Sequence, residues 1–365
     1  MSRLIDPAST ASDLPAGQAG RGRLQPGLPV EGATRAHLID RFSRSLSYLR
    51  LSVTDRCDMR CLYCMPESGE PHELRPEVLT FEEILRLVRI LCRLGITQVR
   101  ITGGEPLVRR DLPALIGMLS NDGEIGGRTD LSLTTNASRL APLAGNLKAA
   151  GLNRINISLD SLIEDKFHRI TRGGRLSEVL AGIDRALEVG LTPVRLNTVV
   201  LRGINDDELP DLVEFAVSRG ATPRFLEVMP LGSVGIENRD RFVPAAEIRR
   251  IIERRYPLVP LPFQNGSTAR DFQIAGTTAR IGIVSPVSER FCSTCNRLRL
   301  SARGRLQLCL AYEDGVDLKG PMRLGWSDAE LSDLLLEAAY RKPAGNHFAE
   351  DPEPVYQIAM SGIGG

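Results

Sequence analysis

The chain has 365 residues, 42% hydrophobic and 25% charged, with a formal net charge of +1. That length accommodates a large α/β domain and a smaller one, each with its own core. The near-zero charge excludes a whole-protein field that draws in nucleic acid or a membrane surface, so an anionic ligand must be held by local arginines.

Residues 1–36 contain five Gly and four Pro, and no aromatic or Cys. Such a stretch buries too little to offset its ordering entropy, and an extension to about residue 39 is expected to be disordered. It lacks the apolar core of a secretory signal, and no apolar run in the chain reaches the roughly 18 residues of a membrane span.

An apolar strand is predicted at 48–53. Thr80 and Glu83 form a capping box. Behind it Phe81, Ile84, Leu85, Val88, Leu91 and Cys92 share one helical face, which Gly95 ends. Strands follow at 98–102, 131–134, 154–159, 194–200 and 224–229. Helices are expected between them at 111–119, 140–150 and 176–187, and from an N-cap at Asn205 to 219. Six strands alternating with helices imply parallel pairing with right-handed crossovers. The order suits a barrel or partial barrel, with a doubly wound sheet as the alternative. The polar motifs fall at the C-terminal ends of strands, where barrel active sites lie. Beyond about residue 230 the alternation stops. A helix at 245–254, an apolar segment at 279–284 and a hairpin of 296–300 and 305–310 around Gly304 suggest a second, smaller domain. The expected division is 1–39, 40–232, 233–345 and a flexible tail, 346–365.

Seven cysteines are present, and six sit in two groups of three. An odd, grouped set does not resemble a disulfide framework; it suggests metal in a reducing, cytoplasmic setting. The first group, Cys57, Cys61 and Cys64, has the spacing C-x3-C-x2-C just after the first strand. Three thiolates at that spacing can hold three corners of a cubic cluster and leave the fourth iron open. A zinc site calls for a fourth Cys or His, and the nearest is His72. The second group, Cys292, Cys295 and Cys309, again offers three thiols with no His in the region. A second [4Fe–4S] cluster with an open iron is the simpler reading. Cys92 lies on an apolar helical stripe and is read as core. Arg297 and Arg299 alternate on one strand, so both point the same way beside Cys295, well placed for a triphosphate.

The first group, with Tyr63 before its last Cys and the turn Thr102-Gly103-Gly104-Glu105-Pro106 after the second strand, resembles the radical S-adenosylmethionine enzymes. From about Asp40 onward, the blocks 49–66, 100–110, 291–300 and the closing Ser361-Gly362-Ile363-Gly364-Gly365 resemble those members of the family that cyclise GTP to begin molybdenum cofactor synthesis. The resemblance implies a partial (β/α)6 barrel with a C-terminal α+β domain carrying a second cluster.

It further implies that Cys57, Cys61 and Cys64 hold a [4Fe–4S] cluster that binds S-adenosylmethionine, with Tyr63, Gly104, Ser158 and Met229 as its other contacts. Cys292, Cys295 and Cys309 would hold the second cluster. Arg50, Arg100, Thr134, Arg195, Arg297, Leu298 and Arg299 would bind GTP, and Gly364 and Gly365 would reach into the active site. The implied reaction takes the 3′ hydrogen of the GTP ribose with a 5′-deoxyadenosyl radical and joins C3′ to C8 of guanine. Implied partners are a flavodoxin or ferredoxin as electron donor, cyclic pyranopterin monophosphate synthase downstream, and a second copy in a homodimer. At Arg195 the family usually has Lys, and at Ser43 a Gly is common. Two rivals are an iron–sulfur electron carrier, which would want fully ligated clusters, and a radical peptide maturase, which would be expected to lack the cationic set.

Overall fold

A computed structural model describes residues 37–70, 74–312 and 315–348. Of the leader expected to be disordered to residue 39 and the tail expected to be flexible from 346, residues 1–36 and 349–365, with Gly364 and Gly365, lie outside these residues. The described parts are held in place: Leu38 is buried and its N–H donates to the Leu94 carbonyl at 3.0 Å, and Asn346 and Phe348 are buried. Six strands, β1 (Tyr48–Ser52), β2 (Gln98–Thr102), β3 (Asp130–Thr135), β4 (Arg154–Ser158), β5 (Val194–Val200) and β6 (Thr222–Glu227), pair in parallel in chain order. The remaining strands are β7 (Leu258–Pro260), β8 (Ala269–Ile274), β9 (Arg280–Val284), β10 (Arg297–Leu300), β11 (Arg305–Gln307) and β12 (Gly315–Asp317). All twelve form one sheet in the order β12-β11-β10-β1-β2-β3-β4-β5-β6-β9-β8-β7.

Two strands from beyond residue 230 extend the parallel run. β10 pairs parallel to β1 and β9 parallel to β6, and only outside them does the pairing turn antiparallel. The later region thus prolongs the sheet on both sides. In β1 to β6 the register sets polar residues in rows that face one way: Arg299–Arg50–Arg100, Thr134–Asn156–Arg195 and Ser158–Asn197–Arg224. The opposite faces of these strands are apolar and pack on helices. Leu49, Leu51, Val99, Ile101, Ile155 and Ile157 are fully buried, which is how parallel strands covered by crossover helices read.

The helix Phe81–Arg93 starts at the capping box, in which Thr80 Oγ1 accepts from the Glu83 backbone N–H at 3.2 Å. Asn205 stands at the N-cap position of a 3₁₀ turn, but its side chain makes no capping hydrogen bond. Its side chain donates to the carbonyls of Asp160 (2.8 Å) and Val199 (3.0 Å) and accepts from Leu201 N–H. A 3₁₀ turn, Asp206–Glu208, intervenes before the helix Leu209–Ser218, which has Pro210 in its first turn. A helix that periodicity did not suggest, Glu164–Thr171, packs its buried Phe167 and Ile170 inward. Cys92 Sγ sits beside Thr129 Oγ1 at 3.5 Å, against the core. No helix among the described residues is long and apolar enough to cross a membrane.

Candidate active site

The loop after β1 carries the first three cysteines, and its neighbours dictate its course. Arg60 N–H donates to the Thr171 carbonyl (2.8 Å) and Leu62 N–H to Ile170 (2.9 Å), which fastens the loop to the end of the helix Glu164–Thr171. Cys57 Sγ accepts from the Met59 N–H at 3.5 Å. The turn after β2 presses on the loop from the other side. Gly104 N–H donates to the Thr54 carbonyl and Glu105 N–H to that of Arg56, both at 2.8 Å. A Cβ at Gly104 would come within 2.5 Å of the Arg56 carbonyl oxygen. The glycine is therefore required by backbone-to-backbone contact.

Two buried carboxyls brace this end. Glu105 accepts from the Leu107 N–H, the Asn136 N–H and Thr135 Oγ1 at 2.6–2.9 Å. Burial lifts its pKa to about 7 against the pull of those hydrogen bonds. Asp160 accepts from Tyr63 Oη at 2.7 Å and from the Val199 N–H at 2.9 Å; burial raises its pKa to about 6. Burial also raises Cys57 to about 11 and Cys64 to about 12.

The second group is built differently. Cys292 and Cys295 close a 3₁₀ turn, with Cys295 N–H donating to the Cys292 carbonyl at 3.1 Å. Cys309 lies just past β11, brought back by the β10–β11 pairing, which joins Arg299 to Gln307 and Leu300 to Leu306. Arg297 Nη2 donates to Cys295 Sγ at 3.2 Å, and its guanidinium stacks on Phe291 at 4.7 Å. Burial raises the Cys295 pKa, but Arg297 and then Lys342 outweigh it and bring the thiol down to about 6.

Both groups face one cavity of about 340 Å³. Its wall includes Cys57, Cys61, Cys64, Tyr63, Gly104, Ser158 and Met229, and also Cys292, Cys295, Cys309, Arg50, Thr134, Arg297 and Arg299. Arg100 and Arg195 do not line it. Arg100 is buried behind, donating to Tyr48 Oη and, at 3.4 Å, to Thr134 Oγ1. Leu298 points to the opposite face of β10 and is part of the hydrophobic core, so its side chain cannot touch a ligand in the cavity.

Sequence reasoning missed Arg224, Asn156 and Asn197, which also line the cavity. Their signal was present: Asn156 alternates with Arg154 and Ser158, Asn197 with Arg195, and Arg224 with Thr222, so each falls on the polar face of its parallel strand. The Nε of Arg224 and the Oδ1 atoms of both asparagines have no protein partner although buried, as expected of groups that meet a ligand.

The arginines repel one another. Burial, then Arg100 and Arg297, lower Arg50 to about 10, with Tyr48 opposing. Burial, then Arg224, Arg154 and Arg100, lower Arg195 to about 10. Burial with Arg50 and Arg297 pushes Arg299 well below its usual value. A polyanion relieves this crowding.

A parallel sheet whose first connecting loop carries C-x3-C-x2-C, with a glycine turn behind it, defines a protein of the radical S-adenosylmethionine superfamily. The superfamily's model matches residues 51–216, and a model described as Molybdenum Cofactor Synthesis C matches 221–348. The chain belongs to the GTP 3′,8-cyclase family. It is 46% identical over 330 residues to the GTP 3′,8-cyclase of Ectopseudomonas mendocina (90% of this chain, 98% of the relative) and 43% identical over 332 residues to that of Hydrogenovibrio crunogenus (90% and 99%). It is 44% identical over 328 residues to that of Moorella thermoacetica (89% and 99%). Among solved structures, Streptococcus suis SuiB bound to S-adenosylmethionine aligns over 83% of this chain and 68% of that one, with a TM-score of 0.58 and 15% identity, a likeness of fold alone.

Proposed function

We propose that this chain converts GTP to (8S)-3′,8-cyclo-7,8-dihydroguanosine 5′-triphosphate, the first step of molybdenum cofactor biosynthesis, in the cavity described above. The observation that carries the reading is the meeting of two groups of three thiols and a set of buried arginines on one cavity. S-adenosylmethionine, bound with a [4Fe–4S] cluster, supplies a 5′-deoxyadenosyl radical there.

The donor sets fit these groups. Cys57, Cys61 and Cys64 offer three thiols from one loop to the first cluster, and Tyr63, Gly104, Ser158 and Met229, which line the same cavity, would contact S-adenosylmethionine. Cys292, Cys295 and Cys309 offer three more to a second [4Fe–4S] cluster, which leaves an iron to face substrate. Arg50, Arg297 and Arg299, joined by Arg224, hold the triphosphate through charge-assisted hydrogen bonds. Thr134 hydrogen-bonds the same ligand from β3, and Arg100 and Arg195 add charge from behind. Arg195 replaces a point charge with a planar fork, and reaches phosphate only after its side chain moves. Leu298 contributes backbone alone. Apolar neighbours such as Leu226, Val228 and Phe291 line the rest. They keep water from a reactive centre.

A flavodoxin or ferredoxin would reduce the first cluster, and cyclic pyranopterin monophosphate synthase would take the product. The test is product analysis after anaerobic reconstitution with GTP, S-adenosylmethionine and dithionite. The expected result is a cyclised nucleotide formed together with 5′-deoxyadenosine. Formation of 5′-deoxyadenosine with GTP recovered intact rejects GTP as substrate.

A further inference from the structure

The chain leaving the helix Asp328–Tyr340 passes directly behind the second cysteine group. Lys342 is 2% exposed, and its Nζ donates to the backbone carbonyls of Arg297, at 2.8 Å, and of Leu308. Arg297 lies two residues after Cys295, and Leu308 immediately precedes Cys309. One ammonium therefore ties together the two limbs that carry these cysteines.

The residues around Lys342 are held as tightly. Arg44 Nη1 donates to the carbonyls of Cys292 (2.7 Å) and Ala344 (2.9 Å), Nη2 to that of Pro343 (2.5 Å), and Nε to Asp40 (2.6 Å). Tyr312 Oη donates to the Gly345 carbonyl at 3.1 Å and Arg290 to that of Asn346 at 2.8 Å. A Cβ at Gly345 would lie 3.3 Å from Cys292 Sγ, so this backbone runs against the thiol itself.

A lysine so deeply buried calls for compensating charge. Two carbonyls occupy two of its three donors and carry no net charge. Burial lowers its pKa, negative charge on Cys295 and Cys309 opposes that shift, and Arg297 and Arg44 add to it.

We propose that Lys342 is a positioning residue for the second cysteine group: its ammonium fixes the Cys295 and Cys309 limbs against each other and supplies a positive charge that favours the reduced state of an iron–sulfur cluster held there. The proposal rests on the reading that this group holds a cluster. Each electron added to a thiolate-ligated cluster adds a negative charge in a low-dielectric setting, and a fixed cation stabilises the more negative state more. Among the described residues no buried lysine stands behind the first group, so its cluster serves as the internal control.

The test uses the full chain, reconstituted anaerobically with iron and sulfide, and two variants. Lys342→Gln keeps hydrogen-bond donors and loses the charge; Lys342→Arg keeps the charge. Iron content of the unmodified chain is read first. About eight irons per chain supports the premise, whereas about four overturns the premise, independently of Lys342. Redox titration followed by electron paramagnetic resonance then reads the inference. In Lys342→Gln the second cluster should be reduced about tenfold less readily, a downward shift of about 59 mV for one electron. The first cluster's midpoint should not move, and Lys342→Arg should stay near the unmodified chain. If Lys342→Gln loses the second cluster while Lys342→Arg keeps it, the proposal is also supported. A Lys342→Gln chain with both clusters and an unchanged second midpoint overturns it, as does loss of the second cluster from both variants.

Discussion

The two cysteine groups reach the same cavity by different routes. The first is contiguous: Cys57, Cys61 and Cys64 sit on one loop, held by the turn after β2 and the end of the helix Glu164–Thr171. Its thiols are pushed up by burial, and Glu105 and Asp160, the buried carboxyls beside it, add negative charge. The second is assembled from a 3₁₀ turn, a hairpin and a distant strap. It is wrapped in cations: Arg297 donates to Cys295, Lys342 stands behind, and Arg44 holds the Cys292 carbonyl. Equal ligand counts thus sit in opposite electrostatic surroundings. We read the difference as a division of labour. A cluster that must give up an electron at low potential suits a less cationic setting, and one that grips an anionic substrate suits a cationic one.

The strongest way to break this comparison is to remove ligands from each group in turn. Replacing Cys57, Cys61 or Cys64 by Ala should abolish 5′-deoxyadenosine formation. Replacing Cys292, Cys295 or Cys309 by Ala should abolish cyclisation while some uncoupled cleavage of S-adenosylmethionine persists. Chromatographic assay of 5′-deoxyadenosine and nucleotide product separates the two. Identical losses from both sets would mean the groups do not divide the work.

The contrast in thiol character is open to measurement in the iron-free chain. At pH 7.5 Cys295 should be alkylated about tenfold or more faster than Cys57 or Cys64, because its thiolate predominates above about 6. The linked stability has a definite sign. A thiol whose folded pKa is lowered from 9.0 to about 6 stabilises the fold above the unfolded value, and that contribution is lost as pH falls through about 6. Mass spectrometric mapping of the alkylated cysteine, at several pH values, checks both the order and the direction.

Of comparable size is the effect of Arg299→Ala on substrate. A charge-assisted contact contributes roughly 1.5–3 kcal/mol, so the GTP dissociation constant should rise about tenfold or more. Guanosine, which has no phosphates, should bind the variant nearly as it binds the unmodified chain. Calorimetric titration of both ligands decides the matter; equal weakening of the two would show that Arg299 does not read phosphate.

Gly104→Ala should act on the first region alone. The added methyl meets the Arg56 carbonyl at 2.5 Å, and relieving such overpacking costs about 1–3 kcal/mol. Thermal melts should show the loss, together with weaker S-adenosylmethionine binding and GTP affinity largely kept.

The smallest expected effect belongs to Ser43→Gly. Ser43 has φ +62° in the turn between Asp40 and Arg44, the left-handed region that costs a residue with a Cβ about 1–2 kcal/mol. Glycine removes that strain but adds entropy to the unfolded chain, so a melting-temperature rise of only a degree or two is expected. A fall would show that the Ser43 side chain has a role of its own.

Local chemistry made much of this legible in the sequence. The cysteine spacings, the Gly-Gly turn, the capping box at Thr80 and the strand–helix alternation all act over a few residues, where covalent reach and periodicity decide the outcome. The two cysteine groups and the six parallel strands could therefore be read without a structure. Packing decided the rest. Asn205 looked like a helix cap and became a buried staple, because the carbonyls of Asp160 and Val199 came within reach only after β4 and β5 paired. That β9 and β10 would extend the parallel run depended on partners far along the chain. Lys342 and Arg44 gave no local sign. Their partners lie 34 and 248 residues away in Leu308 and Cys292, and an ammonium's worth depends on burial, which only the tertiary fold confers.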